Sequence, residues 1–149
     1  ATLVAERKLT LCRRSEDGVP GPETQVWLGD SMGEMPAYFT LADIALIGGT
    51  LLPFGGQNLI EAAACSCPVL VGPHTFNFAQ ATEDSLACGA ARHITGAAEA
   101  ATEVEKLLGD QQALETMRHA AINFSQAHRG ATAKTVALIH EIIESRTAD

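Results

Sequence analysis

The run Ile44-Ala45-Leu46-Ile47, stopped by Gly48-Gly49, restricts this chain more than any other feature: four apolar residues without polar alternation, bounded by glycine. A strand with one wet face alternates every second residue. An unbroken apolar run of this length instead reads as a strand covered on both faces, as in a parallel sheet with helices above and below. Val69-Leu70-Val71, ended by Gly72-Pro73, repeats the pattern. Leu9 to Arg14 and Gln25-Val26-Trp27-Leu28 read as shorter strands, and Ala90 to Ile94 as a last, partly polar one. Helical spacing fills the gaps. Glu34 to Ala42 sets Met35, Tyr38, Phe39 and Ala42 on one side, with Pro36 in the first turn. Asn58 to Ala64 is a second helix, broken by Cys67-Pro68, and Phe76 to Cys88 a third, closed by Gly89.

Three more helices finish the chain. Their apolar stripes are Ala97, Ala100, Ala101, Val104, Leu107 and Leu108; then Leu114, Met117, Ala121 and Phe124; then Val136, Ile139, Ile142 and Ile143. Strand and helix alternate through the first two thirds, which predicts an α/β fold: a Rossmann-like, three-layer domain with an open parallel sheet. At 149 residues, 1–149 is one domain with no room for a second of full size.

Ten basic against eighteen acidic residues leave a net charge of −8, which repels a phosphate backbone and argues against nucleic acid or an anionic membrane as partner. No apolar run is long enough to span a bilayer, and Ala1 to Lys8 has no signal-peptide core. Cys12, Cys65, Cys67 and Cys88 lack the paired spacing of a zinc site and the density of a disulfide scaffold, so they read as reduced thiols. His93, His119, His128 and His140 stand too far apart to point to a metal or a nucleophile. The distribution of charge says more than its sum. Ser15 to Ala91 carries nine acids and no Lys or Arg, so a phosphate bound there needs backbone N–H groups and helix ends, or a cation from elsewhere.

Three loops follow the predicted strands and run into helices, where open α/β sheets bind their ligands. Gly48 to Glu61 is the densest. Its Gly55-Gly56 pair lets a ligand approach bare backbone, and the helix start at Asn58 offers N–H groups to an anion. It is neither a Walker loop nor the dinucleotide fingerprint. Asn58 and Glu61 also have the spacing of an N-cap with Glu at the third position, so a capping device is an equal reading. In Gly29 to Pro36, Ser31 can cap and Glu34 suits a helix amino end. In Gly72 to Phe78, His74 is a candidate ligand group or an ordinary hydrogen-bonder.

Taken in order, Gly29 to Glu34, Ala42 to Gly49, Gly55-Gly56-Gln57-Asn58-Leu59-Ile60-Glu61 and Pro68 to Phe78 resemble the carboxyl-terminal half of bacterial 3-deoxy-D-manno-octulosonic acid (Kdo) transferases. The likeness covers essentially the whole chain and departs from the family pattern at Gln57, often His, and at Ala62-Ala63, where Pro-Ala is common. The resemblance implies a two-domain glycosyltransferase of GT-B type, of which this half is the donor domain holding CMP-Kdo. An amino-terminal half, outside this chain, would bind the lipid A precursor and carry the catalytic carboxylate. No residue here is therefore expected to be catalytic, and no cofactor or metal is expected.

The same resemblance implies nucleotide contacts on Met32, Gly33 and Glu34 and on Asn58, Leu59, Ile60 and Glu61, with Gly55 and Gly56 in the loop between. Glu61 would take ribose hydroxyls, since a carboxylate accepts two of them well but should not face a phosphate. His74, Thr75 and Asn77 form a candidate donor loop. The family's Pro-Arg pair, just ahead of where this chain begins, would supply the missing cation. The full enzyme would act at the cytoplasmic face of the bacterial inner membrane, this part being soluble. The tail helix, Ala131 to Ser145, would dock at home, swap, or pair with a second copy as a homodimer. Two rival readings are the donor domain of another GT-B enzyme, such as a UDP-sugar transferase or epimerase, and a non-catalytic binding or assembly module.

Overall fold

The computed structural model describes residues 1–16, 18–128, 135–140 and 143. In chain order the elements are α1 (Thr2–Glu6), β1 (Leu11–Arg13), β2 (Val26–Leu28), α2 (Met35–Leu41), β3 (Ala45–Leu46), α3 (Leu59–Ala64), β4 (Val69–Val71), α4 (Ala79–Ala87), β5 (Ala91–His93), α5 (Ala97–Gly109) and α6 (Gln111–Ala127). Short 3-10 turns occupy Arg14–Glu16 and Phe76–Phe78. Every strand pairing is parallel. β1 pairs with β2, Leu11 opposite Val26; β4 lies between β3 and β5, Val69 facing Ala45 on one side and Ala91 on the other.

β4 shows why the fold has three layers. Successive strand residues point to opposite faces. Val69 and Val71 enter a cluster with Leu59, Ala62 and Ala63 of α3 and Ala121 and Phe124 of α6; Leu70 enters a second with Ile94, Ala100 and Leu107 of α5 and Leu114 and Met117 of α6. α6 serves both clusters, its carboxyl half on one and its amino half on the other. The α6 stripe is buried as its spacing predicts, and Asp110 caps it by accepting from the Ala113 N–H at 3.0 Å. The α4 helix ends at Gly89, whose φ of +79° is the left-handed turn expected of a terminator.

The expected parallel sheet is present, in two pieces among the described residues, β1–β2 and β3–β4–β5. Several narrower expectations are corrected. β3 is not covered on both faces: Ile47 is buried, but Leu46 is 45% exposed, because β3 has a partner strand on one side only. The helix expected from Phe76 becomes α-helical only at Ala79, since Asn77 is tied to the glycine loop by its backbone and side chain. On α2, Tyr38 and Phe39 are half-buried while Met35 is exposed; on α5, Ala97, Ala101 and Leu108 face outward. Of the tail helix expected over Ala131 to Ser145, residues 135–140 and 143 are described and helical, with Val136, Ile139 and Ile143 exposed. Its remaining positions, Ile142 among them, lie outside the described residues.

Candidate nucleotide site

The glycine loop after β3 is closed on itself and clamped to the loop after β4. Gly56 N–H donates to the Gly49 carbonyl at 3.2 Å and Gln57 N–H to that of Gly48 at 3.0 Å, which shapes the loop. Thr50, buried, turns its hydroxyl onto the Ile47 carbonyl at 2.6 Å. From the neighbouring loop, His74 N–H donates to the Thr50 carbonyl at 2.9 Å and Asn77 N–H to that of Gly55 at 3.0 Å. The Asn77 side-chain amide adds a bond to the Phe54 carbonyl at 3.1 Å.

The two loops therefore form one continuous rim. Gly55 sits at φ +87°, and a Cβ there would lie 2.5 Å from the Asn77 amide nitrogen. Gly55 and Gly56 are both buried, and what approaches their bare backbone in the structure is the 72–78 loop. His74 and Thr75 are half-buried beside them. Asn77, one of the three residues of the candidate donor loop, has its amide engaged in bracing.

At the start of α3, Asn58 does two things. Its side-chain oxygen accepts from the Ile60 N–H at 3.0 Å, the capping bond, and its amide nitrogen donates to Glu61 Oε1 at 3.0 Å. The capping reading is thus present in the structure, and it also orders the exposed Glu61 carboxylate. Leu59 is buried in the core, so only its backbone is placed to meet a ligand; Ile60 is half-buried.

The loop after β2 carries a charge cluster that spacing did not reveal. Arg14, at the end of β1, reaches Glu34 Oε1 with Nη2 at 2.8 Å and Nε at 3.2 Å. Ser31 donates its hydroxyl to the other Glu34 oxygen. Together the Ser31 hydroxyl and the Arg14 guanidinium hold the Glu34 carboxyl below its ordinary range. Asp30 accepts from Ser15 through backbone N–H at 2.9 Å and hydroxyl at 2.8 Å, and these bonds lower its pKa as well, with Arg13 adding a weaker pull. Met32 is 96% exposed and Gly33 has φ +81°, so this turn offers both side chain and backbone to solvent.

Sequence reading looked for the cation beyond the chain. The structure sets Arg14 against the Met32-Gly33-Glu34 segment. No spacing in the sequence signals this pairing; it follows from the parallel register, in which Arg13 lies opposite Leu28 and the residue after it is level with the start of the next loop. Among the described residues no group of three or more His, Cys, Asp or Glu side chains could hold a metal ion, and no helix is long and apolar enough to cross a membrane.

No protein-family model matches the chain. It is 46% identical over 129 residues to a 3-deoxy-D-manno-octulosonic acid transferase of Bordetella pertussis, covering 86% of this chain and 30% of that protein. A transferase of the same name from Haemophilus influenzae is 34% identical over 145 residues, covering 97% of this chain and 34% of that protein. The fold superposes on a crystal structure described as the C-terminal CMP-Kdo binding domain of WaaA from Acinetobacter baumannii, with a TM-score of 0.80, 28% identity, and coverage of 84% of this chain and 65% of that one. This chain belongs to the Kdo transferase family. It spans about a third of the length of the curated relatives it matches. Family membership and the parallel, helix-flanked sheet agree with the Rossmann-like α/β expectation, and they select the Kdo transferases among the GT-B enzymes weighed above.

Proposed function

We propose that this Kdo transferase chain is the donor-nucleotide domain, that it binds CMP-Kdo, and that the complete enzyme adds Kdo to a lipid A precursor at the cytoplasmic face of the bacterial inner membrane. The observation that carries this reading is the likeness, at a TM-score of 0.80, to a domain described as binding CMP-Kdo. The local chemistry supports it. Glu61, oriented by Asn58, has the carboxylate chemistry that accepts ribose hydroxyls. Ser15 to Ala91 has no Lys or Arg, so a phosphate there would rest on neutral donors such as backbone N–H groups at the starts of α2 and α3, and Arg14 adds a cation at the edge of the Met32–Glu34 turn. No cofactor or metal is assigned. The general base that inverting transfer needs is assigned to polypeptide outside these residues, so the chain alone is inactive in this reading.

The test is a titration followed by amide chemical shifts. CMP should shift the amides of Met32 to Glu34 and Asn58 to Glu61, and bind more tightly than UMP. Glu61→Ala should lose most of that binding while stability stays within about 1 kcal/mol, since the capping bond to Ile60 N–H belongs to Asn58. CMP titration without movement of either amide group would refute the assignment.

A further inference from the structure

The turn from β2 into α2 has a braced base and a bare tip. Asp30, Ser31 and Glu34 all engage their side chains with the rest of the protein. Asp30 accepts from the Ser15 N–H at 2.9 Å and from the Ser15 hydroxyl at 2.8 Å. Glu34 Oε1 accepts from Arg14 Nη2 at 2.8 Å and Nε at 3.2 Å, and Ser31 donates to the other Glu34 oxygen. The Ser31 oxygen also lies 3.3 Å from the Tyr38 hydroxyl. Between these anchors, Met32 is almost wholly exposed, and nothing lies within 4 Å of the position a Cβ would take at Gly33.

The braces come from three elements. Arg13 lies opposite Leu28 in the parallel ladder, which carries Arg14 and Ser15 to the level of Gly29 and Asp30. On the other side, Tyr38 of α2 closes over the base of the turn: a Cβ on Gly29 would lie 2.7 Å from its Cζ. The Tyr38 ring meets Trp27 of β2 edge-on, with centroids 5.1 Å apart.

Stability is a weak reason for so many ties. The Arg14 and Glu34 side chains are each about a third exposed, and ion pairs in such a setting add little to the folded state. What two guanidinium nitrogens on one oxygen and two Ser15 donors on one carboxylate do supply is a fixed geometry. A ligand that meets a turn already in place does not bear the cost of ordering it. Both Glu34 oxygens are engaged, so this side chain is built as a strut rather than as an arm held out to solvent.

We propose, on the donor-domain reading above, that Arg14 and Ser15 are positioning residues for the nucleotide. Through Glu34 and Asp30 they fix the 30–34 turn, and its tip, Met32 and Gly33, meets the ligand already in place. Arg14 and Ser15 act on the donor through the turn and do not touch it.

Calorimetric titration of the chain with CMP, paired with amide spectra, tests this. Arg14→Ala, Asp30→Ala and Glu34→Ala should each weaken CMP binding by about tenfold, the cost of ordering a few residues at the moment of binding. At saturation the Asn58 to Glu61 amides should still shift, and the Val69 to Val71 amides should stay where they are in the unaltered chain, which reports an intact fold. Glu34→Gln keeps an oxygen for Arg14 and should recover part of the loss. Arg14→Lys keeps the charge without the fork and should fall between the unaltered chain and Arg14→Ala; it carries the comparison if Arg14→Ala does not fold.

The sign at Arg14 decides between strut and arm. A Glu34 that bound the nucleotide itself would be freed by Arg14→Ala, and CMP would bind more tightly. Binding unchanged or tightened in Arg14→Ala, no effect of Asp30→Ala, or a Glu34→Gln as weak as Glu34→Ala would each overturn the proposal while leaving the donor-domain reading standing. CMP that moves no amide in the unaltered chain would overturn both.

Discussion

Gly55→Ala measures how tightly the two rim loops are joined. The substitution has two costs. Holding Ala at φ +87° costs about 1–2 kcal/mol, because a Cβ crowds the following carbonyl in the left-handed region. The new methyl would also lie 2.5 Å from the Asn77 amide nitrogen and 2.5 Å from Phe76 Cε2, so the Asn77 side chain must leave its bonds to the Phe54 and Gly56 carbonyls. Each such bond is worth roughly 0.5–1.5 kcal/mol net, and the exposed setting places these two toward the low end. The expected loss is about 2–4 kcal/mol, a large share of a domain's stability.

Gly33→Ala is the control, since Gly33 has nearly the same φ, +81°, with nothing within 4 Å of its Cβ position; it should cost the strain alone. Asn77→Ala should remove the brace alone, about 1–2 kcal/mol. The decisive quantity comes from urea unfolding of the double mutant. If Gly55→Ala has already displaced Asn77, adding Asn77→Ala should cost almost nothing more. Full additivity of the two, or a Gly55→Ala no worse than Gly33→Ala, would refute the clamp between the loops.

Two other outcomes follow from the core and the charge cluster. Leu70→Ala, at a fully buried site in the central strand, should destabilise by about 2–5 kcal/mol in urea unfolding, and Leu46→Ala by much less because Leu46 is half in solvent. The Glu34 carboxyl titrates below its ordinary value near 4.5 in the folded chain, so the stability it lends is fully present above that pH and is lost as pH falls through and below it. In thermal melts between pH 6 and 3, Glu34→Gln should flatten the acid limb.

What the sequence disclosed depended on how local the cause was. Val69-Leu70-Val71 was legible because apolar residues between Pro68 and Gly72 can be satisfied only by cover on both faces, and all three are buried. The α6 stripe was legible for the same reason at period 3.6. β3 carries a similar run and yet leaves Leu46 exposed, since the number of strands beside it is decided by distant chain rather than by its own composition. α1 went unread because five residues with none buried make no periodic signal. At the candidate site, Asn58 and Glu61 announced themselves by cap spacing. Arg14 and Glu34, twenty positions apart, meet only through the parallel register of β1 and β2. Asn77 was visible as a polar residue on a functional loop, but its bracing role depends on a glycine twenty-two positions earlier.

The sharing of β4 between two hydrophobic clusters has a bearing on how long the molecule lasts. Both clusters are anchored by side chains on alternate sides of the same three residues, so loss of the strand opens both. Loops and chain ends can fray without disturbing it, but the amides of Val69 to Val71 should exchange only when everything lets go at once. Where proteases act on the opened form, the half-life of the domain is then set by that one event. A substitution on either side of β4 would shorten survival for both halves of the interior together.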